Sequence, residues 1–127
     1  MNRLSGYRVL FVDDNFICNL ETREFLQAQG LIVQAAYCGP AALEMLERRE
    51  HLFALITDID LGKGPDGFDI ARRARAIHPD LPIVFISSAM GPRVASEGVP
   101  GAEFIAKPFH PSQILAALDR ANQSQAA

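Results

Sequence analysis

Five short apolar runs recur along the chain, and between them the apolar residues switch from continuous to helical spacing. The runs cover Arg8–Val12 and residues 31–36, 53–57, 83–86 and 102–106. They have strand length and are rich in Val, Ile, Leu and Phe. A strand that is apolar at successive positions has both faces covered, which is the habit of strands inside a parallel sheet. Gln34 interrupts the second run and suits an edge position.

The intervening segments predict helices. Asp13-Asp14-Asn15 offers caps for a first helix that carries Cys18, Thr22, Phe25 and Leu26 on one stripe and stops at Gly30, with Ile17 and Leu20 off the stripe. Gly39-Pro40 opens a second helix with Ala42, Leu43 and Leu46 inward, and Glu47-Arg48-Arg49-Glu50 is its solvated end. Asp66 caps a third helix running to about Ile77, with Ile70, Ala74 and Ile77 on one stripe. Gly91-Pro92 starts a short or irregular fourth helix that Gly98, Pro100 and Gly101 soon break. Pro111 opens a fifth with Ile114, Leu115, Leu118 and Ala121 inward, and residues 123–127 form a short polar tail expected to fray. Strand and helix alternate five times. The pattern therefore predicts an α/β domain, a single doubly wound five-stranded parallel sheet with five helices, spanning residues 1–122.

Composition narrows the function classes. The 127 residues suffice for one domain, and 49% hydrophobic content is ordinary for a chain with a true core. A net charge of -3 argues against direct nucleic-acid binding, which wants a basic field. No apolar run approaches the roughly 20 residues that span a bilayer, so no membrane insertion is expected and a cytoplasmic location is the default. Cys18 and Cys38 make no disulfide framework and are expected as free, buried thiols.

The candidate chemistry lies where the runs end. In an open parallel sheet, ligands bind beyond the carboxyl ends of the strands. The first run ends in Asp13 and Asp14, the third in Asp58 with Asp60 two residues on, the fourth in Ser87 and Ser88, and the fifth in Lys107. Singly, each has a plain explanation: a helix cap, a turn former, a surface charge. Together they point to chemistry. Crowded carboxylates repel one another, and a divalent cation with hard oxygen ligands, Mg2+ above all, relieves this. His51, His78 and His110 show no ligand spacing with another acid or cysteine, which argues against a zinc site. Beside a cation, one carboxylate can act as a nucleophile toward phosphorus, with the Lys107 ammonium and the Ser87 hydroxyl supporting the phosphoryl oxygens.

Over residues 6 to 122 the sequence resembles the receiver domain of two-component response regulators, and particularly the stand-alone, chemotaxis-regulator type. The resemblance rests on Val9-Leu10-Phe11-Val12-Asp13-Asp14, Leu55-Ile56-Thr57-Asp58-Ile59-Asp60-Leu61, Phe85-Ile86-Ser87-Ser88 and Phe104-Ile105-Ala106-Lys107-Pro108-Phe109, four motifs in the family's order. It implies a flavodoxin-like fold with strand order 2-1-3-4-5. It implies Asp58 as phosphoacceptor from a sensor histidine kinase or histidine phosphotransfer protein. It implies Mg2+ held by Asp14, by Asp13 directly or through water, by Asp58 and by the backbone carbonyl of Asp60. Ser87 and Lys107 would bind the phosphoryl group, and the Phe104 rotamer would follow Ser87. The downstream protein target would dock on the face of the fourth helix, fifth strand and fifth helix, and the protein would be a monomer or weak dimer without an output domain.

Departures from the family pattern carry their own expectations. Gly62 stands where many receivers have proline, and the stretch from Asp58 to Gly67 is one residue longer than the commonest pattern, so this loop is expected to be reshaped or mobile. Asp60 and Ala89 are candidates for tuning the lifetime of the phosphoryl group. Two other readings stand beside the leading one. A degenerate receiver would bind partners without phosphorylation. A phosphatase of the haloacid dehalogenase type would use Asp58-Ile59-Asp60 as its Asp-x-Asp motif, although there the paired acids come late in the chain and here Asp13-Asp14 come first.

Overall fold

The structure is a computed structural model that describes residues 4–88 and 97–126, with side chains described through Gln123. Five strands form one sheet: β1 (Arg8–Val12), β2 (Ile32–Ala36), β3 (Ala54–Asp58), β4 (Ile83–Ser87) and β5 (Glu103–Ala106). Every pairing is parallel, and the order is β2-β1-β3-β4-β5. Four helices are described: α1 (Phe16–Ala28), α2 (Gly39–Glu47), α3 (Gly67–Ile77) and α4 (Pro111–Ala126). The short helix expected after Gly91-Pro92 falls largely at 89–96, outside the described residues.

Alternation along the strands builds two apolar layers. Leu10, Val12, Leu55, Ile83 and Phe85 face one way and pack with Ala42, Leu46, Ile70, Ala71 and Ala74 of α2 and α3. Val9, Phe11, Ala54, Ile56, Val84, Ile86 and Ile105 face the other way and pack with Leu26 of α1 and with Ile114, Ala117 and Leu118 of α4. Each fully buried Leu, Ile or Phe contributes about 1.5–3 kcal/mol relative to exposure. Strands buried on both faces thus read as continuous apolar runs. The two edge strands are the exceptions: β2 has Ile32 exposed and Gln34 half-buried, and β5 has Phe104 half-buried and Ala106 exposed.

Local chemistry sets the helix ends. Asn15 caps α1, its side chain accepting the Cys18 N–H at 2.9 Å. Asp66 and Asp69 form a reciprocal capping box on α3, at 2.9 and 3.0 Å. At the end of α1, Gly30 takes a left-handed φ of +94°, and its N–H reaches the Gln27 carbonyl at 2.9 Å. The next residue, Leu31, donates to the Leu26 carbonyl at 3.2 Å, so β2 starts only at Ile32.

Two expectations need correction. The inner stripe of α1 is Asn19, Thr22 and Leu26, while Cys18 and Phe25 are half-buried at its margins. Cys38 is exposed rather than buried, because it occupies the cap position of α2 at the surface; both thiols are free. Helix α4 runs on to Ala126, through most of the stretch expected as a polar tail, with no Gly or Pro to stop it and with Tyr7 Oη donating to Asn122 Oδ1 at 3.3 Å.

Candidate functional site

The order β2-β1-β3 reverses direction between β1 and β3, and the crevice beyond the carboxyl ends of those two strands is the natural ligand site of such a sheet. Val12 lies beside Thr57, so the residues that follow emerge together. Asp13, Asp14 and Asp58 each bring a carboxylate oxygen within 4.8 Å of the others'. Asp13 is completely buried and Asp58 is 6% exposed, whereas Asp14 is exposed.

From the end of β5, Lys107 reaches into this group. Its Nζ lies 2.9 Å from Asp58 Oδ2 and 3.2 Å from Asp13 Oδ2. The Lys107 N–H donates to the Ser87 carbonyl at 2.9 Å, which ties the end of β5 to the end of β4. Ser87 is buried at that junction. The Lys107–Pro108 peptide is cis. Burial pushes the Asp58 carboxyl above its ordinary range, and the negative charges of Asp13 and Asp14 add to the rise while Lys107 opposes it. Burial alone would lower the Lys107 ammonium, but hydrogen bonding and attraction to Asp58 and Asp13 outweigh it and leave its pKa raised.

One lysine cannot neutralise three converging carboxylates. Asp13 Oδ1 accepts the Asn15 N–H at 2.9 Å, whereas Asp13 Oδ2, although fully buried, has no hydrogen bond among the described residues. A buried carboxylate oxygen whose nearby cation is a lysine shared with Asp58, within an all-oxygen donor set, fits a hard divalent cation such as Mg2+. Asp60 is exposed at the mouth, and Phe104 is half-buried against the α2–α3 layer. Ala89 lies outside the described residues.

The loop after β3 is tied down at its far end. Gly62 and Gly64 take φ values of +77° and +90° with open space around them. Gly67 donates to the Ile59 carbonyl at 2.8 Å, and a Cβ there would collide with the Asp58 carbonyl oxygen. The first residue of α3 therefore rests directly on the backbone of Asp58.

Sequence reasoning missed two residues behind the carboxylates. The Cys18 thiol is pushed up to about 11 by burial, by hydrogen bonding to Asp13 and by that residue's charge. Asn19 is fully buried, and its Nδ2 donates to the carbonyls of Asp13 at 2.9 Å and Ala36 at 3.1 Å. The available signal was a polar residue three before Thr22 and seven before Leu26, on the same helix face.

Comparison with known proteins agrees with this geometry. The family model of the response regulator receiver domain matches residues 9–119. The chain belongs to that family. Receiver domains are the signal-receiving modules of two-component systems, and this one has their flavodoxin-like fold with the family's strand order. Response regulator MprA of Mycobacterium leprae is 32% identical over 111 residues, which cover 86% of this chain and 48% of MprA. The chain spans about half the length of the curated relatives it matches. The crystal structure of a response regulator receiver protein from Sinorhizobium medicae superposes with a TM-score of 0.88 at 36% identity, covering 93% of this chain and 95% of that one. A Burkholderia pseudomallei response regulator, crystallised with a phosphorylated aspartic acid, a calcium ion and citrate, superposes with a TM-score of 0.80 at 27% identity, covering 95% of this chain and 72% of that one. No described helix is long and apolar enough to cross a membrane.

Proposed function

We propose that this receiver is a phosphorylation switch whose acceptor is Asp58 and whose donor is a phosphohistidine on a sensor histidine kinase or histidine phosphotransfer protein. The observation that carries the reading is the buried Asp58 carboxylate, held 2.9 Å from Lys107 and flanked by Asp13 and Asp14 at the β1/β3 crevice. In the transfer, a carboxylate oxygen of Asp58 forms the new P–O bond. The P–N bond to the donor imidazole breaks, and its electron pair leaves with the ring nitrogen. Asp13, Asp14, Asp58 and the carbonyl of Asp60 would hold Mg2+, which would supply positive charge for the phosphoryl oxygens. Lys107 moves its ammonium from Asp58 to a phosphoryl oxygen, and the Ser87 hydroxyl donates to another.

The calcium ion and phosphorylated aspartic acid of the Burkholderia pseudomallei relative support this chemistry. Phosphorylation then adds charge in the crevice, and Ser87 and Phe104 rearrange, shifting the population towards a form with altered affinity for a downstream protein. Phe16 and Ile17, exposed at the start of α1, and Tyr37, stacked on Phe16 with ring centroids 6.0 Å apart, give the mouth an apolar rim on which a donor protein can dock.

Intact mass after incubation with acetyl phosphate tests the reading. One added phosphoryl group is expected on the wild type with Mg2+, and none without Mg2+ or on Asp58→Asn. Loss of the adduct over time should change in Asp60→Asn, whose exposed carboxylate otherwise repels the phosphoryl group or orients water beside it. No adduct from acetyl phosphate or from a histidine kinase would overturn the reading in favour of a phosphorylation-independent binding module. Steady turnover of a generic phosphomonoester would instead favour a phosphatase.

A further inference from the structure

We propose that Asn19 is a positioning residue for the cation site: its amide clamps the backbone of Asp13 to the end of β2 and so fixes where the Asp13 carboxylate can reach. The inference rests on the Mg2+-assisted reading above but concerns a residue that reading does not use.

Asp13 is the first residue past β1, where the strand ladder no longer accounts for both of its backbone groups. Its N–H donates to the Ala36 carbonyl at 3.1 Å, and its own carbonyl accepts one N–H of Asn19 Nδ2 at 2.9 Å. The second N–H of the same amide goes to the Ala36 carbonyl at 3.1 Å. One side chain thus closes a small lattice around Asp13 and the last residue of β2. The main-chain N–H of Asn19 bonds the Asn15 carbonyl at 2.9 Å, so the clamp is built on the first turn of α1. The lattice also has a cost. Asn19 Oδ1 is buried without a hydrogen bond among the described residues. A leucine of similar size would remove that orphan but would strand the Asp13 carbonyl instead.

The consequence falls on the carboxylate. Asp13 Oδ1 is held by the Asn15 N–H at 2.9 Å, and Oδ2 is paired with the Lys107 ammonium at 3.2 Å. Those contacts set the rotamer, and the place of the carboxylate then follows the position of the Asp13 backbone, which the Asn19 amide fixes. Partners that orient metal ligands from behind typically matter by about 10–100-fold in metal affinity.

An NMR titration with Mg2+ alone, read from backbone amide shifts, tests the proposal on the wild type, Asn19→Leu and Thr22→Val. Asn19→Leu should bind Mg2+ about 10-fold or more weakly, and its phosphorylation by acetyl phosphate should recover at saturating Mg2+. Thr22→Val alters the same helix face without touching Asp13 and should keep wild-type affinity. A folded Asn19→Leu with unchanged Mg2+ affinity would overturn the proposal and leave the phosphorylation reading standing. Absence of Mg2+ binding by the wild type would overturn both. Should Asn19→Leu fail to fold, the wild type still decides: the side-chain amide signals of Asn19 should shift with the same midpoint as the Asp13 N–H, and fixed Asn19 signals beside a moving Asp13 N–H would overturn the clamp.

Discussion

Asp58 carries opposing demands in a single side chain. Its carboxyl is raised above the ordinary value of 3.8, chiefly by burial, so the folded state holds that proton more tightly than the unfolded chain does. Linkage fixes the sign. Ionising Asp58 costs native stability; the cost is absent below the ordinary value, grows as pH rises through the folded pKa, and is then constant. Without metal, Asp58→Asn should therefore unfold at a higher temperature than wild type at pH 7. The gap should close as the pH falls to about 4, where the wild-type carboxyl takes up its proton. Thermal melts in EDTA across that range check this, and an Asp58→Asn variant less stable than wild type at pH 7 would show that the Lys107 pair outweighs burial.

At the scale of elements, the start of α3 and the end of β3 form one mechanical unit. Gly67 has no side chain because the Asp58 carbonyl and the Ile59 Cα occupy that space, and both are backbone that cannot swing aside. Gly67→Ala should cost about 1–3 kcal/mol by overpacking and should slow phosphorylation by displacing Asp58. Gly62→Ala serves as the contrast. It meets open space at a left-handed φ of +77°, so it should cost about 1–2 kcal/mol of backbone strain and leave the phosphorylation rate unchanged. Denaturant melts paired with phosphorylation rates separate the two effects. The capping box of Asp66 and Asp69 holds the far side of this loop, and Gly62 and Gly64 take its left-handed turns.

At the scale of the whole molecule, the two apolar layers hold five strand ends at one edge, and the edge concentrates negative charge. The sheet is stable because of its faces, while its edge is strained by the carboxylates. A cation that binds only the folded form relieves this. At a free Mg2+ concentration of 100 times its Kd, the native state should gain about 2.7 kcal/mol, or roughly 10 °C in Tm for a chain of this size. Chelation should reverse the gain, and Asp13→Asn should diminish it. Calorimetry with Mg2+ and with EDTA measures the difference.

Much of this was legible in the chain itself. Continuous apolar runs mark strands buried on both faces, and capping residues mark helix starts, because both signals depend on neighbours within a few residues. The order of Asp13-Asp14, Asp58, Ser87 and Lys107 at the strand ends was equally plain, since parallel strands deliver their last residues to one edge. Tertiary structure alone decided what lies behind that edge. Asn19 looks like a polar residue on a helix until the end of β2 arrives beside it and gives its amide two carbonyls to bind. Cys38 looks like a small core residue until the helix it precedes is placed at the surface. The weight of Gly67 depends on α3 touching the backbone of Asp58. In each case the deciding partner comes from another element, and no local pattern of hydrophobic and polar positions encodes that meeting.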